Sequence, residues 1–252
     1  MLALSWPAAG PARAVDYHPL DVGNVWQYTS SVDGDQTMEI VGERTVLGVV
    51  TRVRRQTLAT QTFENYWTRD AAGHLLLHGA RNLTSPFEVA YFPPMRKVEA
   101  PLHLGRNWIT EDVHLFSLDG TPWGDPPIDY YGEVLTEGEV TVPAGTFYAY
   151  GVGYEVYGRA ESGLLTRDGR SYDLEGRRVD GGAGRPLDAT DWYADGVGEP
   201  WMSWYEDEEL GFKLVSFNLP TPARETSWGR VRWLYRTAPA AGEAGRRERT
   251  HD

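Results

Sequence analysis

The chain has 252 residues, no cysteine and a formal net charge of -12 at pH 7. The lack of cysteine excludes a disulfide framework, a thiol nucleophile and a cysteine zinc site. The acidic balance argues against nucleic acid as a partner, because phosphate binding needs clustered Lys and Arg. Aromatic residues with a polar handle dominate, with 10 Trp and 14 Tyr against 7 Phe. Such side chains suit β-sheet surfaces and wet grooves.

The first 16 residues differ in composition from the rest. Residues 1–6 are apolar, and small residues with Pro then lead to "ARA" at 12–14, a pattern typical of the end of a signal peptide. A basic n-region is missing and the apolar run is short. We interpret residues 1–16 as a signal-peptide remnant or a disordered leader, and the first interpretation predicts export to the periplasm or the cell exterior. No later segment reaches the roughly 18 to 20 apolar residues of a transmembrane helix.

From residue 17 onward, short stretches of alternating apolar and polar residues are separated by turns rich in Gly, Asp and Pro. This pattern is typical of antiparallel strands. We therefore expect one all-β domain over residues 17–237 with little helix, folded as a strongly curved antiparallel sheet or a partial, open β-barrel. Residues 166–185 are polar and Gly-rich, which predicts a hairpin or loop insertion, and residues 238–252 are expected to form a disordered tail.

A motif occurs twice, as "HPLDVGNVW" at 18–26 and "APLHLGRNW" at 100–108. Pro biases the chain to an extended conformation, Gly offers a positive φ for a tight turn, and Trp buries a large ring at the start of a strand. The repeat predicts either two related half-sheets or one local turn used twice. The second is favoured, since little else aligns at this offset. The shared residues are Pro19, Leu20, Gly23 and Trp26, matched by Pro101, Leu102, Gly105 and Trp108.

Four segments together suggest a family. "YHPLDVGNVWQY", "APLHLGRNW", "VTVPAGTFYAYGV" and "DWYADGVG" resemble, in this order, the motifs of a widespread set of secreted or lipid-anchored all-β bacterial proteins. Their "VPAGTF" and "YAPGVG" segments are more distantly similar to the curved sheets of the lipoprotein carriers LolA and LolB. The resemblance covers roughly residues 17–217. It implies an all-β fold in the cell envelope and suggests a ligand-binding shell, but it supplies no catalytic residue. Asp195 stands where that pattern usually has Pro.

A strand predicted over residues 147–157 has one bulky and one bare face. Ala149, Gly151 and Gly153 share the bare face, because alternate residues of a strand point the same way. A bare strip allows the close approach of a ligand or of another backbone, or it marks a bend that relieves sheet curvature. The first interpretation makes this strip a candidate binding groove.

A second candidate site lies in "DWYADGVGEPWMSWYEDEE" at 191–209. Aromatic faces beside carboxylates are typical of sugar-binding clefts, whereas the alternative is a hairpin with an aromatic core and a solvated acidic turn. Glycoside hydrolysis needs two carboxylates facing each other across a cleft, and adjacency in sequence does not supply such a pair. The aromatic candidates are Trp192, Tyr193, Trp201, Trp204 and Tyr205, and the acidic ones are Asp191, Asp195, Glu199 and residues 206–209.

Motifs of catalysis and metal binding do not stand out. The nucleophile elbow G-x-S-x-G and the calcium loop D-x-[DN]-x-[DN]-G are absent. His74 and His78 on one strand would lie about 13 Å apart, too far to chelate one ion. We therefore expect no catalytic residue, metal or cofactor.

The sequence favours an exported, non-enzymatic binding protein of the bacterial envelope. We expect it to hold an apolar or amphipathic small ligand, a peptide or a lipoprotein on the concave face of its sheet. The alternatives are a carbohydrate-active protein, as a sugar-binding module or less readily a glycoside hydrolase, and an interaction protein that uses exposed strand edges.

Overall fold

The computed structural model describes residues 15–31, 34–124, 126–157, 165–167, 170–172, 178–179, 190–203 and 211–219. These residues contain fifteen strands and no helix, and therefore no helix with the length and apolar character to cross a membrane. The strands are β1 (Val25–Ser30), β2 (Gly34–Val46), β3 (Val49–Thr57), β4 (Thr62–Arg69), β5 (Leu75–Asn82), β6 (Glu88–Val98), β7 (Asn107–Phe116), β8 (Ile128–Val142), β9 (Gly145–Tyr157), β10 (Leu165–Arg167), β11 (Arg170–Tyr172), β12 (Arg178–Val179), β13 (Thr190–Ala194), β14 (Gly198–Ser203) and β15 (Gly211–Asn218).

Twelve of these strands form a closed antiparallel barrel in the order β1-β15-β14-β13-β9-β8-β7-β6-β5-β4-β3-β2. Strand β1 closes it, because Val25 is paired with Glu39 of β2 on one side and with Asn218 of β15 on the other. The all-β prediction is confirmed, and the predicted open or partial barrel is wrong. Closure depends on pairing between strands at opposite ends of the domain, which local sequence patterns do not record.

Outside the barrel, β10, β11 and β12 form a separate three-stranded sheet within the segment expected to be a polar hairpin or loop. Residues 1–14 of the predicted leader and the whole predicted tail, 238–252, lie outside the described residues.

The two copies of the repeated motif have the predicted local structure. Gly23 has φ 92° and Gly105 has φ 76°, the left-handed region that favours glycine. Trp26 and Trp108 are buried, and each indole N–H donates to a backbone carbonyl, that of Val197 at 2.6 Å and that of Arg96 at 2.7 Å. Each copy therefore fastens the start of a barrel strand to the core.

The correspondence extends beyond the turns. Gly23 N–H donates to Ile40 O and Ile40 N–H to Asn24 O, while Gly105 N–H donates to Val134 O and Val134 N–H to Arg106 O. A β-bulge directly follows Ile40 in β2 and Val134 in β8. These matching bonds and bulges support the interpretation of the repeat as two related half-sheets, although the sequence alone favours one local turn used twice.

Large side chains fill the barrel. Eight strands enclose a space that ordinary side chains just fill, so twelve strands need bulkier filling. The fully buried residues accordingly include Trp26, Trp67, Tyr91, Tyr130 and Tyr193. The abundance of Trp and Tyr thus has a structural cause. The described residues form three apolar clusters: the first is centred on Trp67, Trp108, Tyr130 and Tyr193, the second on Trp26, Ile40, Phe212 and Leu214, and a smaller third comprises Val46, Val53, Tyr66 and Ala90.

The segment before β1 packs against several loops. Leu102 N–H donates to the Tyr17 hydroxyl at 3.1 Å, and Gly196 N–H donates to Asp16 O at 2.7 Å. The backbone N–H of Asp16 donates to Asp195 Oδ1 at 2.8 Å. Burial raises the pKa of Tyr17 to about 12, so this hydroxyl stays protonated. Asp195 therefore serves as an anchor for this segment.

Candidate functional site

Strand alternation separates the acidic and aromatic residues of the second candidate site. On β13, Asp191 and Tyr193 are almost fully buried and point into the barrel, whereas Trp192 between them is half-buried and points the other way. Glu199 of β14 is also buried. Asp191 and the Trp192 indole thus lie on opposite faces of β13, so these two neighbours do not form the cleft that the sequence suggested.

The buried Asp191 is held by a lysine from the opposite wall. Lys97 Nζ of β6 lies 3.5 Å from Asp191 Oδ2, and both side chains are at most 6% exposed. Four steps of the barrel order separate β6 from β13, so this ion pair spans the interior. The ammonium also lies 3.7 Å from the centroid of the Tyr154 ring, a cation–π contact.

Glu199 is held in a similar way by an arginine. Arg54 Nη1 of β3 lies 3.2 Å from Glu199 Oε1, with 0% and 3% of the two side chains exposed. The guanidinium also donates to Asn65 Oδ1 at 3.2 Å and lies 4.7 Å from the centroid of the Trp67 ring. Strands β3 and β14 are likewise four steps apart, so this pair also crosses the barrel.

Buried tyrosines adjoin both ion pairs. The Tyr154 and Tyr193 hydroxyls lie 2.9 Å apart, and the Tyr28 hydroxyl donates to Glu199 O at 3.0 Å. Burial raises the pKa of all three tyrosines well above its ordinary value, so they remain neutral hydrogen-bonding groups. We call these tyrosines and the two ion pairs the interior polar network.

Sequence reasoning did not single out Arg54 or Lys97. Their partners are 145 and 94 residues away, and no local pattern distinguishes a cation that points into a barrel from one in solvent. Alternation gives no signal for Arg54 either, because it shares its strand face with Arg52 and Gln56, a pattern typical of a solvent-facing side.

The bare strip of β9 is covered by neighbouring side chains. Ala149 is fully buried in the second apolar cluster. A Cβ added to Gly151 would lie 2.6 Å from the side chain of Thr136, and one added to Gly153 would lie 2.5 Å from that of Leu135. The glycines therefore give room to side chains of the protein itself, which argues against an open ligand groove along this strip.

Trp192 and Trp201 are a cross-strand pair, stacked with ring centroids 5.7 Å apart and planes 9° from parallel. Gly151 flanks Trp192 on the next strand, and Lys213 Nζ lies 5.5 Å from the Trp201 centroid on the other side. Each indole thus has a neighbour on either side in this row, and a stacking sugar would have to displace one. Trp204, Tyr205 and residues 206–209 lie outside the described residues.

Among the residues with described positions, no group of three or more His, Asp or Glu could hold a metal ion. His78 is buried, and its Nε2 lies 2.8 Å from Thr68 Oγ1. Desolvation lowers its pKa to about 4.

Comparison with known proteins gives little beyond this geometry. No protein-family model and no curated protein matches the chain. A Bacteroides fragilis protein with a YmcC-like fold, inferred to be exported, is 14% identical with a TM-score of 0.41, covering 81% of this chain and 100% of its own. A Parabacteroides distasonis protein, inferred to be a lipoprotein, is 12% identical with a TM-score of 0.38, covering 82% and 100%. At these TM-scores neither likeness bears on function.

Proposed function

We propose that this protein is an exported, non-enzymatic binding protein of the bacterial cell envelope that holds an apolar or amphipathic ligand inside its barrel. The concave interior replaces the strip of β9 as the binding surface. The observation that carries the proposal is the buried Arg54–Glu199 pair beside the second apolar cluster, to which Tyr28 belongs.

A buried ion pair is a poor way to stabilise a core. Desolvating two charges costs several kcal/mol per ion, and replacing such a pair by apolar residues is often neutral or stabilising. The first cluster holds a second pair, Lys97–Asp191, among its tyrosines. An interior that combines apolar walls with charges is suited to a molecule with an apolar chain and a polar head.

The width of the barrel supports the same conclusion. A barrel of twelve strands has a larger cross-section than the eight-stranded barrels that accommodate one small ligand. Here the space is occupied by large, partly polar side chains such as Trp26, Tyr28 and Arg54. Binding of a narrow chain inside the barrel therefore requires some of them to rotate. Export is supported by the small-x-small pattern at 12–14.

The direct test is a fluorescence titration of the full chain with N-phenyl-1-naphthylamine, a dye that emits strongly only in apolar surroundings. We expect saturable binding at one dye per chain, reversed by a long-chain fatty acid or a lysophospholipid. A titration with no saturable signal would overturn the proposal. Native mass spectrometry of protein purified from periplasm should then show a retained amphiphile.

The matched control is the double variant Arg54→Met/Glu199→Leu, which makes this part of the interior apolar. Because the apolar walls remain, it should bind the neutral dye as tightly as the natural chain. Its preference for a charged amphiphile over the uncharged analogue should fall at least about tenfold, as expected when about 1.4 kcal/mol of charge recognition is lost. An unchanged preference would show that the ion pair does not contact the ligand.

A further inference from the structure

The hairpin formed by β8 and β9 extends past the barrel wall. Strand β13 pairs with β9 from Gly153 to Tyr150, and beyond that point residues 138–149 pair with one another. The hairpin leaves the wall beyond the Glu137↔Tyr150 pair, two residues past a β-bulge between Val134 and Thr136. We call residues 138–149 the strap.

The strap reaches a strand that is not its neighbour. Ala144 N–H donates to Leu214 O of β15 at 3.0 Å. Because β13 and β14 stand between β9 and β15 in the barrel order, the strap passes both of them. Val140, Val142 and Ala149 of the strap are buried in the second apolar cluster, whereas Tyr148 is 55% exposed. One face of the strap is thus apolar and covered, and the other meets solvent.

The strap ends at a short seam in the barrel. In the described part of the chain, β14 pairs with β15 at Trp201↔Lys213, Met202↔Phe212 and Ser203↔Gly211. The next position opposite Leu214 in this register is Pro200, which has no N–H to donate. Ala144 supplies the N–H that Pro200 lacks. The backbone bond at this end of the seam therefore comes from the strap.

The seam borders the proposed ligand space. Met202 of β14 and Phe212 and Leu214 of β15 are buried members of the second cluster, and Glu199 of the Arg54 pair also lies on β14. Phe147 of the strap packs edge-to-face against Phe217 of β15, with ring centroids 6.1 Å apart. Phe217 is 39% exposed. A ligand that enters here meets aromatic side chains first, then an apolar wall, then a charge.

We propose that the strap is a movable gate over the β14–β15 seam and that the ligand enters the barrel there. This inference rests on the proposed function. Its basis is that the strap can swing where it leaves the wall, beyond the Glu137↔Tyr150 pair, by releasing the Ala144–Leu214 bond and its apolar face, while the pairing of β9 with β13 stays intact. Opening any wall strand would break a ladder on both sides.

The test fixes the strap in place. The chain has no cysteine, so the double variant Ala144→Cys/Val215→Cys carries its only two thiols beside the Ala144–Leu214 bond. Val215 is 41% exposed and follows Leu214, so a short bifunctional methanethiosulfonate can join the two positions. We expect cross-linking to slow N-phenyl-1-naphthylamine uptake at least about tenfold, and cleavage of the linker by a reductant to restore it.

A second double variant controls for cross-linking itself. Glu43→Cys/Arg52→Cys joins β2 to β3, where the two residues are paired and their side chains are partly exposed, and β1 separates both strands from β15. Its cross-linked form should take up the dye at the natural rate. Equal uptake by both cross-linked proteins and the natural chain would overturn the gate alone. Failure of the uncross-linked natural chain to bind the dye would overturn the gate together with the proposed function.

Discussion

Strands β8 and β9 belong to two regions that are held in different ways. In the wall, β8 pairs with β7 and β9, and β9 also pairs with β13, so each strand has a ladder on both sides. In the strap the same strands pair with each other and reach β15 through the Ala144–Leu214 bond. One hairpin therefore combines a fixed base with a tip that can be released at small cost. Changes in the wall should alter stability, whereas changes in the strap should alter ligand access.

The largest effect is expected at the ion pair that spans the wall strands. Arg54→Met removes the cation beside the buried Glu199 carboxylate and should lower the free energy of unfolding by about 3 to 5 kcal/mol, measured by urea denaturation. Adding Glu199→Leu should recover most of the loss, because the unpaired charge is then gone. A single variant as stable as the natural chain would show that the Glu199 carboxylate is not left as an uncompensated buried charge.

The second largest loss of stability is expected from a steric clash in the wall. A Cβ on Gly132 of β8 would lie 2.5 Å from the buried Trp108 ring, so Gly132→Ala should cost about 1 to 3 kcal/mol. Gly153→Ala is the matched control, because its Cβ would meet only the end of the 55% exposed Leu135 side chain. Thermal unfolding of the two variants compares them. Equal losses would show that Trp108 repacks freely and that the wall is less rigid than described.

Acid should weaken the wall through His78 on β5. Desolvation lowers its pKa in the folded chain from 6.5 to about 4, so between these pH values the unfolded chain binds more protons. Stability should therefore fall, by about 1 to 2 kcal/mol, as the pH drops from 6.5 toward 4. His78→Gln should lose this part of the pH dependence in urea titrations at several pH values. An unchanged slope would assign the acid sensitivity to other groups.

The smallest change in stability, with the clearest change in access, is expected in the strap. Val142→Ala removes apolar contact from its covered face and should cost about 1 kcal/mol, since two carbon atoms are lost. The same loss should raise the population of open strap about fivefold and speed dye uptake in stopped-flow fluorescence. Uptake at the natural rate would separate the strap from ligand entry.

The sequence predicts much of the barrel, for physical reasons. Alternation and turn residues are local signals, which is why the all-β class and the positive φ of Gly23 and Gly105 could be predicted. Closure of the barrel through β1 and β15 could not be predicted, because Val25 and Asn218 lie at opposite ends of the domain. The bulge after Val134 could not be predicted either, because it lies opposite Gly105 and Arg106, which belong to a separate part of the chain.

The candidate site was predicted less well than the fold. Asp191 and Trp192 are neighbours in sequence but point to opposite faces of β13, so their proximity in sequence suggested a cleft that alternation removes. Gly151 and Gly153 marked a close approach, and the approaching groups are Thr136 and Leu135 of the adjacent strand. No local pattern marks Lys97 as buried, because its partner across the barrel comes much later in the chain.

Hydrogen–deuterium exchange of the full chain tests most directly whether the strap opens without the wall. We predict that the amide of residue 144, which opening of the strap releases, exchanges at least about tenfold faster than those of β8 residues 128–134 and of β13, and that cross-linking Ala144→Cys to Val215→Cys removes the difference. If the amide of residue 144 exchanges at the rate of the wall, the strap opens only when the barrel unfolds. That result would contradict the account of a ligand-binding barrel with a gate at the β14–β15 seam.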